Sequence, residues 1–307
     1  MKSIIQKMTI VLAFSTALFA LQIPQNHIVS TDWLQKNIGS KNLVIIDTRK
    51  PEVYKKSHIK GAINYPKKSF FKGKLGNIPK LPSTLGQVQK MLQDAGISED
   101  SVIVFYSAGE KNKDFADAVS GIWNFWLYGI QKSALLNGGY AKWNFEKRAL
   151  ISKLPKIVKS DIELDRYDRS IIASLSDINE AIYDEDKQIT DARVSKFYVG
   201  SDKRKDLARH GRIPTAKLTP VIRYTKNMGK YFELISPKEA KKTLYNSGYG
   251  VELDKPLIIY CNTGHKARGL WFVSKFLVGM KNVQVFDGSM VEYSRTNLPM
   301  ETGEAME

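Results

Sequence analysis

The chain states one plan twice, and that repetition constrains its fold more than any other feature. The first half reads Leu43-Val-Ile-Ile-Asp-Thr-Arg49, then Glu52-Val-Tyr54, then His58-Ile-Lys-Gly-Ala62. The second reads Gln188-Ile-Thr-Asp-Ala-Arg193, then Lys196-Phe-Tyr198, then Gly211-Arg-Ile-Pro-Thr-Ala216. Further on, Val102-Ile-Val-Phe-Tyr-Ser107 matches Pro256-Leu-Ile-Ile-Tyr-Cys261, and Leu135-Leu-Asn-Gly-Gly-Tyr-Ala-Lys-Trp143 matches Val285-Phe-Asp-Gly-Ser-Met-Val-Glu-Tyr293. Asp191 follows Asp47 by 144 residues, Cys261 follows Ser107 by 154 and Asp287 follows Asn137 by 150. The order is kept while the spacing drifts, as in a duplicated domain whose loops have diverged in length.

Each half alternates short β-branched runs with helical patterns, which predicts βαβ units and a parallel sheet. The expected fold class is therefore α/β, with two tandem domains, each a mainly parallel sheet flanked by helices. Thr84-Leu-Gly-Gln87 and Ser236-Pro-Lys-Glu239 read as capping boxes at helix starts, the second with proline at the first helical position. The expected domains run over 28–146 and 166–303, and the charged, aperiodic stretch 147–165 reads as their linker. Residues 1–20 differ from the rest. A basic start, the apolar run Met8-Thr-Ile-Val-Leu-Ala-Phe14 and small residues at Ser15-Thr-Ala17 or Ala20 predict a secretory signal peptide, hence a periplasmic protein with no stable membrane insertion after cleavage. An uncleaved anchor is the alternative, although the run is short for a membrane span.

Cys261 is the only cysteine among 307 residues, so no intramolecular disulfide framework or cysteine-rich metal site is available. The four histidines, His27, His58, His210 and His265, have no ligand-like spacing, and no metal is expected. The net charge of +16 suits an anionic partner, but the cations are scattered and accompany no nucleic-acid-binding motif, so no nucleic acid is expected. Cys261 stands where the apolar run Pro256–Tyr260 ends and a helical pattern begins after Asn262-Thr-Gly-His-Lys266. A thiol there faces the amides of a helix start, which favour a thiolate nucleophile. A buried structural thiol is the alternative. Ligands of open α/β sheets bind beyond the carboxyl ends of the strands, so Asp191, Arg193 and Cys261 can converge on one pocket. Asp191 and Arg193 can equally form an ion pair that only ties strand to loop.

Four features together resemble the tandem-domain rhodaneses, the thiosulfate and 3-mercaptopyruvate sulfurtransferases. They are Asp191-Ala-Arg193 with an aromatic soon after, the Arg212-Ile-Pro-Thr-Ala216 turn, a strand ending in a cysteine loop, and Phe286-Asp-Gly-Ser289 with Glu292-Tyr293 near the C-terminus. The resemblance covers roughly residues 28–303. It implies that Cys261 attacks a sulfane sulfur, becomes a persulfide and passes the outer sulfur to a thiol or cyanide acceptor, without a cofactor. It implies a substrate site formed by Arg193, Lys196 and the loop residues Asn262, Thr263, Gly264, His265 and Lys266, with Asp191 as structural support. Lys196 falls where the family often carries an arginine, and lysine keeps the charge without the planar fork. The loop follows neither the thiosulfate-type nor the mercaptopyruvate-type pattern. If Arg193, Lys196, His265 and Lys266 all face the pocket, their charge favours a small sulfur-containing anion as donor, with thiosulfate or polysulfide preferred.

Ser107 occupies the position of Cys261 in the first half and cannot carry a persulfide, so the N-terminal domain is expected to be catalytically silent. Two other functions compete. Cysteine-loop phosphatases of the same fold place arginine six positions after the cysteine; here Ala267 stands there and Arg268 follows one place later. A non-catalytic persulfide carrier would need the same loop as the enzyme, and only turnover separates the two.

Overall fold

The computed structural model describes residues 21–76, 78–202, 204–245 and 250–303. The expected signal segment, 1–20, lies outside the described residues. The N-terminal sheet contains β1 (Ile28–Val29), β2 (Leu43–Asp47), β3 (Ala62–Asn64), β4 (Val102–Tyr106) and β5 (Ser133–Leu136), in the order β1-β5-β4-β2-β3. The C-terminal sheet contains β6 (Ile172–Ala173), β7 (Gln188–Asp191), β8 (Lys217–Leu218), β9 (Leu257–Tyr260) and β10 (Val283–Phe286), in the order β6-β10-β9-β7-β8. All neighbours in both sheets pair in parallel, so the repeated motifs have become two sheets of identical topology. The α/β class and the tandem arrangement are those expected from the sequence.

The apolar runs of β4 and β9 form central strands buried along their whole length, as continuous hydrophobic runs do when helices cover both sheet faces. Each leads into a helix, α1 (Phe115–Leu127) after β4 and α2 (His265–Phe272) after β9. Both capping boxes form, with the Thr84 N–H donating to Gln87 Oε1 at 3.0 Å and the Ser236 N–H to Glu239 Oε2 at 2.9 Å. The stretch 147–165 is fastened to the N-terminal domain. Leu150–Ile151 pairs antiparallel with His58–Ile59, the Leu164 N–H donates to Gln89 Oε1 at 2.9 Å, and Ile162 is buried.

The two domains share one apolar core across α1 and α2. Trp126 meets Trp271 and Phe276 edge-on, at centroid separations of 5.9 and 5.2 Å. Gly269 permits this approach, because a Cβ there would stand 3.0 Å from Ala116 Cβ and 3.1 Å from Val221 Cγ2. Polar ties flank the apolar contact: the Phe232 N–H donates to Gly109 O at 2.9 Å, and Lys142 Nζ lies 2.5 Å from Glu233 Oε1. Helix α2, which follows the Cys261 loop, is thus packed directly on the N-terminal copy.

Candidate functional site

Cys261 lies immediately after β9, and its side chain is buried. The loop from Cys261 to Lys266 turns into α2 through Gly264, whose φ of 74° is left-handed. A Cβ at Gly264 would fall 2.3 Å from Asp287 Oδ1 and 2.9 Å from Asp287 O, so glycine is required both by conformation and by space. The opening N–H groups of a helix such as α2 have no carbonyl of an earlier turn to bond, and donors of that kind suit an anion.

Ser289 holds this loop in shape. Its Oγ accepts from the Cys261 N–H at 3.1 Å and from the Gly264 N–H at 3.0 Å, and donates to Phe286 O at 2.9 Å. It does so from a left-handed backbone, φ 49°, unusual for a residue with a side chain. The corresponding residue of the first half is Gly139, φ 58°, which adopts nearly the same conformation without strain and offers no hydroxyl. Ser289 belongs to a motif visible in the sequence, but its role as an anchor of the cysteine loop was not read from it. A serine standing where the other copy has glycine was the available signal.

Arg193 is buried and points back to its own strand. Its Nε lies 2.9 Å from both Asp191 oxygens, its Nη2 donates to Asp191 Oδ2 at 2.6 Å and to Gly211 O at 2.8 Å, and its Nη1 reaches Asn262 Oδ1 at 3.3 Å. Burial works against its charge, yet the Asp191 carboxylate outweighs burial and holds the guanidinium above its ordinary value. Arg49 and Asp47 repeat the pair in the first half, with Nη2 2.6 Å from Oδ2. Because the copy without a cysteine keeps it, the pair is an element of the fold. The bond from Arg193 Nη1 to Asn262 Oδ1 joins it to the cysteine loop.

The expected ring of four cations is not what the structure assembles. Lys196 is exposed and paired with Asp202 at 2.5 Å, because the short helix Ser195–Tyr198 turns Tyr198 inward and leaves Lys196 on the outer side. His265 turns toward the N-terminal domain, where its Nε2 lies 2.7 Å from Asp117 Oδ1. Burial dominates there and keeps the imidazole below its ordinary value despite the carboxylate. Among the described residues, the cations that interact electrostatically with Cys261 include Arg193, Arg204, Lys266 and Arg268. Three of them carry a carboxylate each: Asp191, Asp206 at 2.5 Å from Arg204, and Asp287, which Arg268 contacts in full burial. Lys266 has no ion-pair partner among the described residues. Burial lowers its ammonium from the ordinary value, and Cys261 opposes that shift. Arg204 lies in the irregular segment after Tyr198, where no periodicity marks it. Arg268 also packs its guanidinium 3.5 Å over the Phe71 ring of the other domain.

The first-half loop is closed by the chain itself. The N–H groups of Glu110 and Lys111 both donate to Asp114 Oδ2 at 3.0 Å, so an internal carboxylate takes amides of the loop that begins at Ser107. Among the described residues there is no cluster of side chains suited to hold a metal ion, and no helix is long and apolar enough to cross a membrane.

The rhodanese-like domain family matches the chain twice, over residues 30–146 and 174–296. A Mycolicibacterium smegmatis protein named "Putative thiosulfate sulfurtransferase" is 30% identical over 90% of this chain and 98% of its own length. A Thermus thermophilus protein, "Sulfur carrier protein TtuD", is 28% identical over 90% of this chain and 97% of its own. Among solved structures, the 3-mercaptopyruvate sulfurtransferase SseA of Escherichia coli superposes with a TM-score of 0.73 at 23% identity, over 86% of this chain and 98% of that one. A complex of EanB with ergothioneine gives 0.78 at 22%, over 92% and 71%. These structures share the fold.

Proposed function

This chain belongs to the rhodanese family, and from that premise we propose that it is a sulfurtransferase whose working thiol is Cys261. The observation that carries the proposal is the asymmetry of the two strand ends. One presents a thiol in a loop whose shape is fixed by Ser289, and the other presents Ser107 in a loop whose amides are taken by Asp114. The Cys261 thiolate attacks the sulfane sulfur of thiosulfate, the S–S bond of the donor breaks, and sulfite departs with the bonding pair. A thiol or cyanide acceptor then attacks the outer sulfur of the persulfide and returns the Cys261 thiolate. Loop N–H groups and Lys266 stabilise the negative charge on the outer sulfur.

An anionic donor, thiosulfate or polysulfide, fits the uncompensated Lys266. Asn262, Thr263 and Gly264 shape the loop around the donor, and Asp191 supports it through Arg193. The export segment expected at residues 1–20 would place this reaction in the periplasm, and N-terminal sequencing of the native protein tests that placement. A carrier function is the second reading, favoured by the burial of Cys261 and by the name of the Thermus relative. Mass spectrometry after thiosulfate treatment should find one added sulfur on Cys261 and none in Cys261→Ser. Turnover with thiosulfate and cyanide then separates enzyme from carrier. An unmodified Cys261 after exposure to thiosulfate, polysulfide and mercaptopyruvate would refute both.

A further inference from the structure

The first-half strand ends open into a cleft of about 920 Å³, a size that accommodates a small organic ligand. Arg49, Lys50, Lys56, Lys67 and Lys68 line it against Glu52, Glu110 and Asp117; with Arg49 spent on Asp47 and Lys67 on Asp117, the remaining three lysines still outnumber the two glutamates, so its charge is positive. Lys50, Lys56 and Lys68 are exposed and have no ion-pair partner among the described residues. Matching hydrogen bonds relate the two domains here. Tyr54 Oη bonds Ala62 O as Tyr198 Oη bonds Ala216 O, and the Lys67 N–H bonds Thr48 O as the Val221 N–H bonds Ala192 O. In that correspondence Lys50, Lys56, Lys67 and Lys68 are equivalent to Val194, Gly200, Val221 and Ile222. The basic lining is therefore specific to the copy that has no thiol. Pro51, Val53, Pro66 and Tyr140 add apolar wall, which suits a ligand with a carbon skeleton.

One side of this cleft touches the cysteine loop. Asp117 Oδ1 accepts from Lys67 Nζ at 2.6 Å and lies 2.7 Å from His265 Nε2, so a cleft lysine and a loop histidine meet at one carboxylate oxygen. We propose that the cleft beside Ser107 is a binding site for a small organic polyanion, separate from the donor site, and that its occupancy is felt by the cysteine loop through Lys67, Asp117 and His265. An anion that engages Lys67 weakens its hold on Asp117, and His265 is the other group on that oxygen. The binding claim stands apart from the sulfurtransferase reading, whereas the meaning of the coupling for sulfur transfer rests on that reading.

Citrate serves as the probe, titrated calorimetrically into the full chain carrying Cys261→Ser. It should bind with a Kd of about 1 mM or tighter. The triple change Lys50→Gln, Lys56→Gln and Lys68→Gln should weaken it by about tenfold, since three exposed charge contacts are lost. Thiosulfate should not displace it. The His265 imidazole resonance should shift on saturation, and Lys67→Gln or Asp117→Asn should abolish that shift. Absence of saturable binding, or binding that survives the triple change but is lost with Lys266→Gln, would overturn the site. Binding without any response at His265 would overturn the coupling. Failure of Cys261 to take up sulfur would count against the function proposed above and leave these readouts intact.

Discussion

Replacing Ser289 separates the two things that this residue does. Its hydroxyl accepts the N–H groups of Cys261 and Gly264, and its backbone holds a left-handed conformation that glycine adopts at Gly139 in the other domain. Ser289→Ala keeps the conformational penalty and strands two buried donors, at about 1–3 kcal/mol for each donor left unsatisfied. Ser289→Gly strands the same donors but removes a strain of about 1–2 kcal/mol. The alanine variant should therefore be less stable than wild type by about 2–6 kcal/mol, and the glycine variant should recover about 1 kcal/mol of that loss. Sulfur uptake should respond differently, because it depends on the hydroxyl and not on the strain. Both variants should load Cys261 about ten- to a hundredfold more slowly, the scale of a misplaced reacting group. Denaturant unfolding gives the stabilities, and time-resolved mass spectrometry with thiosulfate gives the loading rates. Equal stability of the two variants would refute the strain argument, and wild-type loading in either would refute the anchoring argument.

Donor recognition should follow Lys266 rather than Lys196. Lys266→Gln should raise the KM for thiosulfate by about fivefold, the loss of one partly screened charge contact, while Lys196→Gln, whose charge is spent on Asp202, should change it little. The reverse ranking would count against the electrostatics described above. Ser107→Cys should give no second sulfur-bearing thiol, because the Asp114 carboxylate already occupies amides of that loop; two sulfur adducts by mass spectrometry would contradict this. Acidification should destabilise the protein. Burial lowers the folded-state values of His265 and His27, so the unfolded chain binds protons more readily, and stability falls as pH drops through the ordinary histidine value of 6.5. Substituting His265 with Gln should flatten the dependence of Tm on pH between neutrality and mild acid, leaving the part due to His27. An unchanged slope would show that His265 is not held neutral by burial.

What could be read from the sequence was what lies along one strand and the loop that follows it. Asp191 and Arg193 are two residues apart, so their pairing is nearly local, and the paired motifs of the two halves announce two sheets of one plan, although not the order of their strands. The cysteine loop was legible for the same reason, since β9, the turn at Gly264 and α2 are consecutive. Electrostatics around the thiol were not legible, because each cation's effect depends on a partner chosen by packing. Lys196 is spent on Asp202, and His265 finds Asp117, 148 residues earlier, only because α1 and α2 pack through Gly269 and Ala116. Arg268 likewise looks from the sequence like a displaced phosphate clamp, yet Asp287 and the Phe71 ring enclose it. A repeat thus announces the scaffold, while the interface between its copies decides which charges remain available. Here that interface leaves Lys266 uncompensated beside Cys261 among the described residues, and it joins the cysteine loop to a cleft whose lysines the second copy lacks.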